Sequence, residues 1–186
     1  SPPGILISWL DAEIRHRQDG WKCITEEASF KGLKRDGWSF PLEGRIDRID
    51  YHKDEGLICW DYKTGNHPNQ KDVLERLTAP QLPVYLLALR TGKVPDMNKY
   101  FNQETRFSAG YMQLKTPAKV RMNKIRGMEE SLDKWIQVID DIGKILQMGN
   151  FRANPYPVSN LENKETACEN CPFITLCESG IVPKEE

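Results

Sequence analysis

The feature that most limits how this chain can fold is a pair of strand-like segments set around one short turn. Residues Trp38 to Tyr51 alternate through Phe40, Leu42, Ile46 and Ile49, and Leu57-Ile58-Cys59-Trp60-Asp61-Tyr62 follows as an apolar run. Between them, Lys53-Asp54-Glu55-Gly56 is turn chemistry. The pattern predicts a β-hairpin.

The flanking segments supply helices. Ile5, Leu6, Trp9, Leu10 and Ile14 recur at three-and-four spacing and Gly20 follows, so Ile5 to Arg17 reads as an amphipathic helix, and Trp21 to Phe30 reads as a strand. Beyond the hairpin, Gly65 to Asn69 is a loop and Gln70 to Leu77 is helical. Pro80 and Pro83 fit the first turn of a helix running to about Arg90. Thr91 to Thr105 predicts a long, mobile connection, and Arg106 to Lys115 another strand. Ile125, Met128, Leu132, Trp135, Ile136, Ile139, Ile142 and Leu146 predict one long helix over Asn123 to Met148, ended by Gly149. This order implies an α/β fold in which a mixed central sheet is flanked by helices.

With 186 residues, 39% of them apolar, the chain can bury one real core, so 1–186 is read as a single domain: a leading helix over 1–20, a core over 21–149 and an irregular Cys-containing tail over 150–186. No run of eighteen apolar residues occurs and nothing marks secretion, so a membrane role is excluded and a cytoplasmic place is expected. The starting Ser suggests a fragment of a larger protein.

The hairpin also carries the chemistry. Gly44-Arg45-Ile46-Asp47-Arg48-Ile49-Asp50 lies on one strand and Asp61-Tyr62-Lys63-Thr64-Gly65 on the next. Carboxylates from adjacent strands can converge on a hard cation such as Mg²⁺. Asp61 and Lys63 are two apart, so they share a face, and a cation beside a metal-bound water suits phosphodiester hydrolysis. A surface hairpin of alternating charge fits the same letters. Further on, Gln81 and Tyr85 are four apart on one helical face, where they either hydrogen-bond a phosphate or carboxylate or, for Tyr85, join a core of Leu82, Leu86 and Leu89.

Net charge is only −1, but Lys115, Lys119, Arg121, Lys124 and Arg126 form a basic run without an acid, which reads as a solvated face or as a phosphate track. Five cysteines are an odd number, and three cluster as Cys168, Cys171 and Cys177, against a plain disulfide framework.

The series G-R-I-D-R-I-D, W-D-Y-K-T-G, P-Q-L-P-V-Y and C-E-N-C-P-F-I-T-L-C resembles the RecB/AddB branch of the PD-(D/E)XK nuclease superfamily over about Trp9 to Cys177. The resemblance implies a restriction-endonuclease-like core. It implies a metal-dependent deoxyribonuclease, an exonuclease by type, acting on single-stranded DNA or a duplex end beside a helicase domain or subunit in recombination and repair. Asp47 and Asp61 would bind Mg²⁺ or Mn²⁺, the Tyr62 carbonyl would add a ligand, and Lys63 would position the attacking water. Gln81 and Tyr85 match the helical motif after the active-site strand, and Glu27 resembles a further acidic position. Asp50, three from Asp47, is taken as structural or surface.

Cys168, Cys171 and Cys177 resemble the C-terminal part of an iron-sulfur staple. A [4Fe-4S] cluster takes four thiolates, so it is expected to be incomplete here, with the family's first cysteine and its active-site His upstream of Ser1. Cys23 and Cys59 read as packing residues and His16 as part of the later, non-catalytic helix. Zinc is the chemical alternative for the trio. The rival functions are a noncatalytic DNA- or partner-binding module on the same fold and a zinc-stapled interaction module.

Overall fold

The computed structural model describes residues 4–36, 38, 40–117 and 120–149. The chain divides into two compact units, residues 1–144 and 145–186, and the sheet lies in the first. Helix α1 (Ile5–Gln18) leads into β1 (Lys22–Leu33), β2 (Leu42–His52) and β3 (Gly56–Lys63). Helices α2 (Gln70–Leu74) and α3 (Gln81–Arg90) carry the chain to β4 (Phe107–Leu114), followed by β5 (Val120–Lys124) and α4 (Leu132–Gln147).

The strands form one sheet in the order β1-β2-β3-β4-β5. Neighbours are antiparallel except β3 and β4, which run parallel and therefore need the crossover that residues 64–106 supply. This is the mixed sheet with flanking helices that the element order implied.

Strand β3 has helices over both faces, which explains its unbroken apolar run. On one side Leu57 and Cys59 pack with Ile49, Ala109 and Tyr111 against Leu82, Leu86 and Leu89 of α3. On the other, Ile58 and Trp60 cluster with Trp21, Met112 and Trp9 of α1. The turn into β3 requires Gly56, whose φ is +83° and where a β-carbon would sit 2.1 Å from the Arg106 carbonyl oxygen.

Gly110 of β4 is required for space rather than for its backbone angle. A β-carbon there would sit 2.6 Å from both the Asn123 carbonyl oxygen and a Trp60 ring carbon. Gly110→Ala is therefore expected to lower stability by about 1–3 kcal/mol through overpacking. An unchanged urea midpoint would show that the Trp60 side of the sheet yields freely.

Two expectations are corrected. The apolar stripe of α1 meets the sheet only through Trp9: Ile5, Leu6, Leu10 and Ile14 are exposed, and Glu13 and His16 are buried. The cause is on β2, where Arg48 and Asp50 are buried on the side facing α1 and need charged or polar partners. The single helix over Asn123 to Met148 is instead a strand, a turn and a shorter helix. Ile125 and Met128 are buried in the turn and only mimic helical spacing, with Gly127 at φ +77° between them. The connection from Thr91 to Thr105 is docked on the core by Val94 and Met97 and contains a 3₁₀ turn, Asn98–Tyr100.

Candidate active site

The site grows from the end of the β2–β3 ladder. Paired residues run from His52 with Gly56 to Arg48 with Trp60. One step on, Asp47 Oδ2 accepts the Tyr62 backbone N–H at 2.7 Å, so a carboxylate replaces a strand partner and Asp47 is pinned beside Asp61. Asp61 and Lys63 share the face that looks toward α3.

Helix α3 completes the group. Lys63 Nζ lies 2.6 Å from Asp61 Oδ2 and donates to Gln81 Oε1 at 2.9 Å. Gln81 Nε2 donates to the Tyr85 hydroxyl at 2.9 Å. Tyr85 is also a core residue, its ring edge-on to Phe30, so the core role is filled while its hydroxyl meets the Gln81 amide. Asp47, Asp61, Lys63, Gln81 and Tyr85 thus gather in one place.

The electrostatics of the site are set by burial and by the Lys63 ammonium. Asp61 is 1% exposed. Burial pushes its carboxyl above the usual range, Lys63 pulls it back down, and the neighbouring Asp47 charge adds to the upward push. Among the described residues Asp61 Oδ2 is a buried oxygen with no hydrogen-bond partner; Lys63 sits close as an ion-pair neighbour, off the direction of a hydrogen bond. Burial likewise raises the Tyr85 and Tyr111 phenols, and the Asp61 charge adds to both, so each remains a neutral donor.

A buried carboxylate oxygen whose close neighbour is the Lys63 ammonium, a second carboxylate one step away and the Tyr62 carbonyl are hard oxygen donors, a set that fits a divalent cation keeping several waters. Among the described residues no group of three or more His, Cys, Asp and Glu converges, so Asp47 and Asp61 would be the two carboxylates supplied, beside the Tyr62 carbonyl. Glu27 does not join them: it is exposed, has φ +52°, and pairs with Arg45 at 2.7 Å. The irregular backbone turns its carboxylate to a surface partner.

Asp50 is structural, and fully buried rather than at the surface. It lies in a network with Arg48, Glu13 and His16 on the α1 side of the sheet. His16 belongs to that network and not to the carboxylate site. Cys59 is buried core, its thiol pushed up to about 12 by burial, and Cys23 is half-buried. Cys168, Cys171 and Cys177 lie outside the described residues.

Sequence reasoning missed His67, in the loop after Lys63. Its ring stacks on Tyr111 at 5.1 Å, Nδ1 meets the Pro68 carbonyl at 2.8 Å and Nε2 meets the Asn123 amide at 3.1 Å. Tyr111 lies beneath Lys63, whose ammonium is 6.0 Å from the ring centre. No local pattern marks such a contact, because it joins a loop to the edge strand.

The crystal structure of SSO0001 is similar to this chain over 94% of its length and 67% of that protein's, at 11% identity and a TM-score of 0.38. No curated protein matches. The family model described as the PD-(D/E)XK nuclease superfamily matches residues 6–178, which take in both strands of the carboxylate pair, the Lys63 position and α3. The chain belongs to the PD-(D/E)XK nuclease superfamily.

Proposed function

We propose that this chain is a metal-dependent DNA nuclease domain of RecB/AddB type, working as an exonuclease within a helicase-nuclease or recombination-repair protein. The observation that carries the catalytic part is the linked row Asp61, Lys63, Gln81 and Tyr85 with Asp47 beside it.

Asp47, Asp61 and the Tyr62 carbonyl would hold Mg²⁺ or Mn²⁺. When bound, the cation supplies charge to a phosphoryl oxygen and acidifies water. The rest is the work of side chains. Gln81 and Asp61 hold the Lys63 ammonium on two sides, leaving an N–H to aim at the attacking water or at the phosphate. Tyr85 fixes the Gln81 amide so that its oxygen, rather than its nitrogen, faces Lys63. These side chains would thereby orient the nucleophile and place positive charge where the transition state gains negative charge.

The subtype rests on the sequence series and the cysteine spacing. Cys168, Cys171 and Cys177 give three thiolates, one short of a [4Fe-4S] set, so iron and sulfide analysis of this chain is expected to find less than a full cluster. Stoichiometric iron and sulfide would overturn that part alone.

The test of the function is hydrolysis of end-labelled linear DNA with Mg²⁺ or Mn²⁺ against chelator. Metal-dependent release of nucleotides from an end is expected. Retained DNA binding with no cleavage under either metal would make the chain the noncatalytic module instead.

A further inference from the structure

The basic run after β4 is not one surface. The register places Gln113 opposite Arg121 and Tyr111 opposite Asn123, while Lys63 pairs with Gln113 and Asp61 with Tyr111. Residues opposite one another share a face, so Lys63, Gln113 and Arg121 form one row across three strands, next to the row Asp61, Tyr111 and Asn123. The contact between Asn123 and His67, itself stacked on Tyr111, fixes that face as the active-site face. Lys124 alternates to the other side, where it pairs with Glu55 at 3.0 Å and lies over the Trp21 ring at 5.8 Å.

The charges on the two faces differ accordingly. Lys124 is neutralised by Glu55. Arg121 is exposed and, among the described residues, has neither an acidic partner nor a hydrogen bond. Lys115, just past the end of β4, is exposed and spends one of its three N–H groups on Asn66 Oδ1 at 2.7 Å. Gln113 donates to the Gly65 carbonyl at 3.3 Å, so the loop leaving Lys63 is tied to this same strip. Two inter-strand spacings, about 10 Å, separate the Lys63 and Arg121 backbones. A phosphodiester chain crossing Lys63 would continue over Arg121 within a few nucleotides.

We propose that Arg121 and Lys115 form a shelf that grips the sugar-phosphate backbone of a DNA strand on one side of the scissile phosphate, and that Lys124 takes no part in it. This rests on the nuclease reading for the place of the scissile phosphate. Arg121 supplies a planar fork of donors to phosphate oxygens and Lys115 a point charge. Neither reads sequence, since both are aimed at backbone charge.

The experiment measures binding and cleavage separately on the whole chain. Binding of a fluorescent oligothymidylate of about twenty nucleotides, longer than a typical single-strand site, is titrated in chelator across a salt series. Arg121→Gln and Lys115→Gln are each expected to weaken binding and to lower the slope of log affinity against log salt by about 0.7, the value for one single-strand phosphate contact. Arg121→Lys should recover most of the slope. Lys124→Gln should leave affinity and slope unchanged.

Equal effects of Arg121→Gln and Lys124→Gln, or no binding by the parent chain, overturn the shelf. If DNA is cleaved but the Arg121 and Lys115 variants bind and cleave as the parent does, the shelf fails and the nuclease reading stands. If the salt slopes change as expected but no metal supports cleavage, the shelf stands and the nuclease reading fails.

Discussion

Asp61→Asn should abolish metal-dependent DNA cleavage while leaving the domain folded. On the proposed reading Asp61 would be a charged metal ligand, and its loss would remove several kcal/mol of transition-state stabilisation, a fall on the order of 10³-fold or more in rate. The folded state should not suffer in the absence of metal. Burial raises the Asp61 carboxyl in the folded chain, so its ionised form is disfavoured there, and that cost sets in as pH rises through the interval above the ordinary value of 3.8. An amide carries no such cost. Metal-free Asp61→Asn is therefore expected to melt at or above the parent temperature at pH 7, and added Mg²⁺ should stabilise the parent but not the variant. Asp47→Asn makes a useful companion, because its amide oxygen can still accept the Tyr62 N–H. Asp61→Asn that cleaves like the parent would remove the metal assignment, whatever its stability.

The chemistry of this site was legible because its spacings are local. Asp61 and Lys63 are two apart on a strand, and Gln81 and Tyr85 four apart on a helix, so each pair shares a face before any tertiary structure exists. What joins the pairs is tertiary, and it was reached through the family resemblance rather than through periodicity. Helix α1 shows the limit. Its letters advertise an apolar face, yet Glu13 and His16 turn inward because Arg48 and Asp50, more than thirty residues away, are already buried there. Periodicity weighs each segment alone and cannot include a charge on another strand. The segment 123–131 failed differently. Past the end of β5 the turn buries Ile125 and Met128 three positions apart, which gives the same letters as a helix, and only Gly127 interrupts them. Glu27 fell out of the site for a third reason, a left-handed backbone angle inside a strand that spacing does not reveal.

Arg48→Met is expected to be the most damaging single change in the scaffold. Arg48 is 1% exposed, and its guanidinium reaches Glu13 at 2.7 and 3.1 Å and Asp50 at 2.6 Å. Asp50 also meets His16 at 2.8 Å and accepts the Trp60 indole N–H at 2.9 Å. Burial alone would raise both acids, but for Asp50 the hydrogen bonds from His16 and Arg48, and for Glu13 those from Arg48 and Arg17, hold the carboxyl below its usual value. Removing the arginine leaves two buried carboxylates without their shared cation, a loss of about 3–5 kcal/mol for breaking such a group from one side. The pH dependence distinguishes this from simple loss of packing. In the parent, depressed carboxyls contribute stability above the ordinary values of 3.8 and 4.5, and that contribution is lost as pH falls through the lower folded values. In the variant burial pushes the same carboxyls up against only His16 and Arg17, so much of the stability the parent gains as pH rises through the ordinary range is lost. Urea unfolding at a series of pH values should therefore show a gap between the two proteins that is widest near neutrality and narrows toward pH ~4. A gap independent of pH would mean that Arg48 acts through its volume. Replacing Glu13, Arg48 and Asp50 together by apolar residues of similar size should recover much of the loss, because no buried charge then remains unpaired. Helix α1 would in that case keep its place by burial alone, and since Asp47, Asp61 and Lys63 lie on the opposite side of the sheet, cleavage should survive the triple replacement to the extent that the β2–β3 ladder does.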